Sequence, residues 1–155
     1  MPFQDSIKRY ATGPQLLRQA TAGMSREQLV ARPIPGRWST LEVVCHLADF
    51  EVVSVDRMTA VIAETDPTLP GRDERQYAAR LAYDDRDLEE QLRLIELCRS
   101  HVTRILHTLN DQDWQRRGMH TEAGPLTLEQ LVQRFVWHIE NHLQFIHTKR
   151  EALGI

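Results

Sequence analysis

Apolar residues recur at alternating intervals of four and three positions through the segment 88–109 of this 155-residue chain. The recurring positions are Leu88, Leu92, Ile95, Arg99, Val102, Leu106 and Leu109, and Arg99 is the one basic residue among them. This spacing places a stripe along one face of an α-helix, and it is typical of helices that pack in bundles at a crossing angle of about 20°. The pattern therefore predicts an all-α protein whose helices pack side by side.

Capping sequences predict where several of the helices begin. In Ser39-Thr-Leu-Glu42 and in Thr127-Leu-Glu-Gln130, the first side chain can accept a hydrogen bond from a first-turn amide while the fourth side chain reaches back. Asp84 or Asp85 is expected to cap the helix that carries the stripe, and Gly154 to end the last helix. We therefore predict a long first helix over about residues 3–22, a short helix after Ser25, and long helices over about 39–64, from 84 or 85 through the stripe, and 127–153.

Two features interrupt these helices. Pro14 is expected to kink or split the first one, because proline lacks a donor and clashes with the preceding turn. The segment 65–83 contains two prolines and a glycine and is mostly polar, so it is predicted to be a long connection, functional or partly helical itself. No convincing strand alternation is present. The sequence therefore predicts one domain, residues 1–155, built as a four-helix bundle.

Composition and charge exclude several classes of function. The net charge is −3, and the basic residues do not cluster along the sequence, which argues against a nucleic-acid-binding protein. The first ten residues lack the apolar core of a signal peptide, and no apolar run approaches the length of a membrane span. Cys45 and Cys98 form no CxxC pair and are expected to be reduced. We therefore expect a cytoplasmic protein.

A pair of histidines on the last predicted helix is the strongest indication of chemistry. His138 and His142 lie one turn apart, inside an apolar stripe that includes Phe135 and Ile139, so both imidazoles could reach one metal ion. Two hydrogen-bonded core histidines are the alternative. The run is not the HExxH motif of zinc proteases, because Ile139 follows the first histidine and Glu140 should point away from the metal.

His46 is the candidate for a third ligand. It lies early in the second long predicted helix, whose apolar residues indicate burial on more than one side. Asp49, one turn later, could orient the His46 ring by accepting a hydrogen bond, or it could be a solvated surface residue. Taken alone, His46 is also compatible with a core histidine that has a hydrogen-bond partner.

Two motifs together resemble the DinB superfamily, and specifically its YfiT-like branch. They are Trp38-Ser-Thr-Leu-Glu-Val-Val-Cys-His46-Leu-Ala-Asp49 and Val136-Trp-His138-Ile-Glu-Asn-His142. The resemblance extends over nearly the whole chain, through Asp73-Glu74, His120 and the ending His147-Thr-Lys-Arg-Glu-Ala-Leu-Gly154. It implies a four-helix bundle with one divalent metal, zinc or nickel, held by His46, His138 and His142. It also implies a homodimer that acts on small molecules, as a metal-dependent hydrolase or a transferase of low-molecular-weight thiols.

Two functional classes stay open at this point. The first is a metalloenzyme for thiol transfer or hydrolysis, because three imidazoles leave coordination positions for water or substrate. The second is a non-catalytic binding or stress-related module. Within the first, Asp73 or Glu74 could border the substrate pocket, and Arg99 could anchor an anionic substrate over the metal or extend to solvent. Surface positions are expected for His101, His107 and His147, and a packing or dimer contact for Trp137. His120 is expected in a loop, either exposed to solvent or bordering the pocket.

Overall fold

The structure is a computed structural model that describes residues 3–155. Its helices and strands are, in chain order, α1 (Gln4–Thr21), α2 (Arg26–Val30), α3 (Thr40–Ala63), β1 (Thr68–Leu69), α4 (Glu74–Arg80), α5 (Leu88–Leu106), β2 (Arg117–His120), β3 (Gly124–Thr127) and α6 (Leu128–Leu153). The four long helices α1, α3, α5 and α6 pack together as a bundle. The predicted all-α four-helix bundle is therefore confirmed, apart from a small sheet at its side.

The long helices form a ring in which α1 and α3 each pack between α5 and α6. Neighbours α3 and α5 run parallel. Cys45 and Leu88 pack in one apolar cluster near the starts of the two helices, and Glu51 pairs with Arg99 farther along both. Helix α1 runs antiparallel to α5, because Arg18 near its end contacts Glu89 at the start of α5.

The parallel arrangement explains the long connection between α3 and α5. Helix α3 has 24 residues and is about 36 Å long at 1.5 Å per residue. A short loop cannot join parallel neighbours, since the chain must return along the bundle before the next helix starts. Residues 64–87 make this return and contain β1 and α4. We call them the crossover.

Local sequence accounts for most of the helix boundaries. The capping boxes at Ser39 and Thr127 are both present, as predicted. Helix α1 is not split, and Pro14 lies buried inside it. The prediction that Asp84 or Asp85 caps α5 is wrong: both lie in a tight turn over Tyr83–Asp85, and Asp87 accepts the hydrogen bond from the Glu90 amide.

A three-stranded sheet flanks the bundle. Strand β2 pairs with β1 in parallel and with β3 in antiparallel fashion. The expectation that no strands form is therefore corrected. In β2 the exposed position 119 carries methionine and the buried position 120 carries histidine, so the inward and outward residues do not alternate between apolar and polar. The strand signal that sequence reasoning uses is missing there.

No helix within residues 3–155 combines the length and apolar character that crossing a membrane requires.

Candidate metal centre

Three imidazoles from two helices meet inside the bundle. Nε2 of His46 on α3 lies 2.9 Å from Nε2 of His138 on α6. One ring nitrogen each from His46, His138 and His142 all lie within 4.8 Å of one another. The ring centroids of every pair are 4.9 Å apart. The residues expected from the sequence to hold a metal are thus brought to one point.

The helix geometry accounts for this convergence. His138 and His142 are separated by one turn of α6, so their rings project side by side. The Ser39 capping box fixes the start of α3 and places His46 in its second turn, within the continuously buried stretch 41–48. Because α3 and α6 pack against each other, the His46 ring meets both rings of α6.

Aromatic side chains form the walls around the three rings. The centroid of the His46 ring lies 5.2 Å from that of Trp38 and 4.6 Å from that of Phe50. The Phe145 ring lies 5.6 Å from that of His142. Tyr77 of the crossover packs on Phe50 with 5.5 Å between ring centroids. These rings limit the access of water to the imidazoles.

Burial keeps the three imidazoles neutral. It lowers the pKa of His46 to about 3, with a smaller effect from His142. It lowers the pKa of His138 to about 2, and the neighbouring His46 and His142 rings lower it further. The pKa of His142 falls to about 4 through burial and the positive charge of Lys149. Neutral imidazoles offer lone pairs, which is the form that binds a metal.

A divalent metal ion fits this set of donors. The Nε2 atoms of His46 and His138 face each other, and the Nδ1 atoms of all three rings are buried without a hydrogen-bond partner in the described part of the chain. The alternative expected from the sequence, core histidines each bonded to a buried neighbour, requires partners for these atoms. Imidazole ligands suit zinc, nickel, copper and iron alike, so the donors do not identify the metal.

The crossover brings one carboxylate to the three rings. Oε2 of Glu74, in the first turn of α4, lies 3.9 Å from Nε2 of His46. The Glu74 side chain is 57% exposed, so it reaches the site from the solvent side. Asp73 does not reach it, because its carboxylate caps α4 by accepting from the amides of Arg75 and Gln76. Of the two acids expected to border the pocket, Glu74 is the one beside the imidazoles.

A sequence profile of the DinB superfamily matches residues 9–146. The chain belongs to the DinB superfamily. The resemblance found from the two histidine motifs is therefore confirmed over most of the chain. The matched range includes all three histidines and the crossover.

The relatives within the DinB superfamily point to the YfiT-like branch. YfiT of Bacillus subtilis, named as a candidate metal-dependent hydrolase, is 29% identical over 142 residues, which cover 91% of this chain and 80% of YfiT. A protein of Oceanobacillus iheyensis with the same description is 29% identical over 133 residues, 86% of this chain and 77% of the relative. The solved YfiT structure, described as an unusual four-helix bundle, matches with a TM-score of 0.90 and 28% identity over 97% of this chain and 86% of its own.

A more distant member of this fold is a mycothiol-dependent maleylpyruvate isomerase. Its solved structure matches with a TM-score of 0.72 at 10% identity, over 92% of this chain and 60% of the isomerase chain. This likeness concerns the fold alone.

The structure corrects the role suggested for Asp49. Its carboxylate is 2.8 Å from Nη1 of Arg86, which holds it away from the His46 ring. Arg86 follows the tight turn at the end of the crossover, and its position could not be read from helix periodicity. The interaction therefore ties the crossover to α3 instead of orienting a metal ligand.

Arg99 takes neither of the two places proposed for it. Its guanidinium is buried and pairs with Glu51 at 2.5 Å, and it also donates to the carbonyl oxygens of Tyr10 and Phe135. It neither extends to solvent nor points into the centre as a substrate anchor. Sequence reasoning did not identify Glu51 as its partner, although Glu51 is an acidic residue in a helix that is otherwise largely apolar.

The remaining histidines and Trp137 are mostly placed as expected. His101, His107 and His147 are exposed, and Trp137 is 61% exposed on α6. His120 is the exception, because it is buried in β2, where its Nδ1 accepts from the amides of Glu122 and Ala123.

Acidification is expected to destabilise the metal-free protein between about pH 6.5 and pH 4. In this window the three imidazoles remain neutral in the folded state, whereas histidines of the unfolded chain take up protons below their ordinary pKa of 6.5. The unfolded state therefore binds more protons, up to roughly three, and the free energy of unfolding decreases as the pH falls. Urea unfolding of chelator-treated protein at several pH values in this window measures the slope.

A histidine variant provides the control for this slope. His142→Asn removes one of the three groups and should give a shallower dependence on pH, whereas exposed His107→Asn should leave the slope unchanged. Equal slopes in wild type and His142→Asn would contradict the prediction.

Proposed function

We propose that this protein is a metal-dependent enzyme that acts on a small molecule, by hydrolysis or by transfer of a low-molecular-weight thiol. The site is a divalent metal, zinc or nickel, held by His46, His138 and His142. The observation that carries the proposal is the convergence of three neutral imidazole nitrogens within 4.8 Å, under a carboxylate of the crossover.

The donor set supports a catalytic use of the metal. Three histidine ligands leave coordination positions for other molecules, which is typical of catalytic zinc sites. When bound, the metal supplies a Lewis acid that lowers the pKa of a water or a thiol toward neutrality. Both reactions considered from the sequence need such an activated nucleophile.

The chain's own residues supply the rest of the chemistry. His46, His138 and His142 position the reaction centre. Trp38 and Phe50 keep bulk water from the rings. Glu74 carries the carboxylate nearest to the imidazoles, and we propose that it accepts the proton that a water or thiol loses when it becomes a nucleophile. The descriptions of the YfiT-like relatives support hydrolysis, and the isomerase shows that this fold serves a thiol-dependent enzyme elsewhere.

Activity is expected to require both the histidines and Glu74. With several small thiols and the electrophile monochlorobimane, and in a parallel ester and amide hydrolysis screen, His142→Ala should lose metal-dependent turnover. Glu74→Gln should bind metal as the wild type does and lower kcat by about 10²–10⁴-fold, because it removes only the proton acceptor. Initial rates at matched metal occupancy measure both effects.

Asp73→Asn is the matched control, since it changes the neighbouring acid that caps α4 and should have little effect on kcat. If metal-loaded wild type shows no turnover above background in either screen, the enzymatic proposal is overturned and a non-catalytic metal-binding module is favoured. Equal rates in wild type and Glu74→Gln would remove Glu74 from the mechanism.

The homodimer and the cytoplasmic location stay predictions. Trp137 on the outer face of α6 is available for a contact between subunits, as expected from the sequence. Sedimentation of the purified protein tests the oligomeric state.

A further inference from the structure

Helix α1 carries a glycine followed by a proline in its buried interior, the two residues that disfavour a helix most. Because Pro14 has no amide proton, the carbonyl oxygen of Tyr10, four residues earlier, receives no hydrogen bond from the helix backbone. A Cβ atom at Gly13 would lie only 2.9 Å from Nη1 of Arg99 and 3.2 Å from Cδ1 of Ile139. The two residues therefore provide space and a free acceptor for one guanidinium, and we call Gly13 and Pro14 the socket.

Arg99 of α5 occupies this socket and contacts the other three long helices. Its Nη1 donates to the Tyr10 carbonyl oxygen of α1 at 2.8 Å. Its Nε and Nη2 donate to Oε1 of Glu51 on α3 at 2.9 and 2.5 Å, and Nη2 also donates to the Phe135 carbonyl oxygen of α6 at 2.6 Å. The Arg99 and Glu51 side chains are 1% and 0% exposed. One planar, charged group with fixed hydrogen-bond directions thus joins all four helices.

Two of these contacts lie on the helices that provide the imidazoles. Phe135 precedes His138 by three residues on α6, about 4.5 Å along the helix axis, and the two ring centroids are 6.2 Å apart. Glu51 follows His46 by five residues on α3, about 7.5 Å along the axis. The 2.9 Å between Nε2 of His46 and Nε2 of His138 depends on the position of α3 relative to α6. Arg99 bridges these two helices within about one and a half turns of the imidazoles.

Stability alone does not account for this arrangement. A buried ion pair loses the solvation of both charges, so two apolar side chains of similar volume often give equal or greater stability. The socket adds a second cost, because glycine and proline are unfavourable inside a helix. The arrangement does provide a fixed geometry, since the rigid guanidinium of Arg99 meets all its acceptors in only one relative placement of the helices.

We propose that Arg99 is a positioning residue of the metal centre, which sets the placement of His46 relative to His138 without itself being a ligand. It does so by holding Glu51 of α3 and the Phe135 carbonyl oxygen of α6 against the socket of α1. This role rests on the proposed metal site, because its consequence is the affinity and the coordination geometry of the ion. Replacement of groups that orient metal ligands typically lowers metal affinity by about 10–100-fold.

Glu51→Leu combined with Arg99→Met tests this role, because it removes both buried charges and should keep most of the stability of the wild type. In the folded double variant, competition titration against a chromophoric chelator should show a zinc affinity lower by about tenfold or more. The visible absorption bands of the cobalt-loaded protein should change in position or intensity, since they report coordination geometry. Arg9→Met is the matched control: it breaks the exposed Arg9–Glu140 pair between α1 and α6 and should change neither readout.

A change in the socket separates the positioning role from folding. Gly13→Ala leaves both charges in place but sets a Cβ atom against Nη1 of Arg99, so the guanidinium must move. The folded variant should therefore bind zinc more weakly than the wild type and show altered cobalt bands. It decides the outcome if the double variant does not fold.

A measurement without metal separates this role from the proposed function. In the metal-free wild type, nuclear Overhauser effects should connect the ring protons of His46 and His138, and both the double variant and Gly13→Ala should weaken them. If the wild type binds no zinc, the proposed function fails, and these ring contacts alone decide the positioning role. Zinc affinity, cobalt bands and ring contacts equal to those of the wild type in the folded double variant, or in Gly13→Ala if the double variant does not fold, would overturn it.

Discussion

Replacement of His138 with alanine is expected to abolish stoichiometric binding of zinc or nickel. Nε2 of His138 faces Nε2 of His46 at 2.9 Å, so its removal leaves two imidazoles of the three that converge. Two remaining histidines bind a divalent ion much more weakly than three. Calorimetric titration and metal analysis of protein purified without a histidine tag measure the loss.

His107→Ala is the matched control for this experiment. His107 is an exposed histidine just after the end of α5 and should not affect metal stoichiometry. Metal binding should also decrease as protons begin to compete for the three imidazoles at acidic pH. If the wild type takes up neither zinc nor nickel at neutral pH, the three rings are core histidines and the proposed function fails with them.

Loss of the buried acid Glu51 is expected to cost about 3–5 kcal/mol of folding stability. Glu51→Leu would leave the buried Arg99 guanidinium with only the carbonyl oxygens of Tyr10 and Phe135 as partners. A cation buried without its counter-charge destabilises the folded state more than the original pair stabilises it. Urea unfolding followed by circular dichroism measures the change in free energy.

A double variant and an exposed ion pair test whether the unpaired buried charge causes the loss of stability. Glu51→Leu combined with Arg99→Met removes both charges and should recover most of the lost stability. Glu140→Ala breaks the Arg9–Glu140 pair, whose side chains are 57% and 40% exposed, and should cost less than about 1 kcal/mol. Additive effects of the two core substitutions would show that the buried charge is not the cause.

The bundle could be predicted from the sequence because the signals for its helices come from residues that are close together along the chain. Capping boxes at Ser39 and Thr127 and the stripe of α5 each depend on residues within a few turns. The spacing of His138 and His142 is equally local. His46 was added by its place in a buried helix and by the family resemblance. The convergence of His46 with the two histidines of α6 depends on how α3 and α6 pack, which local sequence does not give.

Interactions between distant segments were the part that could not be predicted. The sequence shows acidic Asp49 one turn from His46, but Arg86 from the end of the crossover takes that carboxylate. It shows Arg99 in an apolar stripe, but its partner Glu51 is on another helix.

The parallel direction of α3 and α5 gives the crossover a property that a short loop would lack. Its length is set by the distance that the chain must travel back along the bundle, so deletions there would strain the fold. Most of its side chains lie on the surface, whereas Leu69 and Tyr83 are buried in the apolar clusters of the core. The exposed residues 72–76 can therefore be exchanged while the four helices stay the same. Across a family with this topology, selectivity for ligands can diverge in one segment of fixed span, independently of the stability of the scaffold.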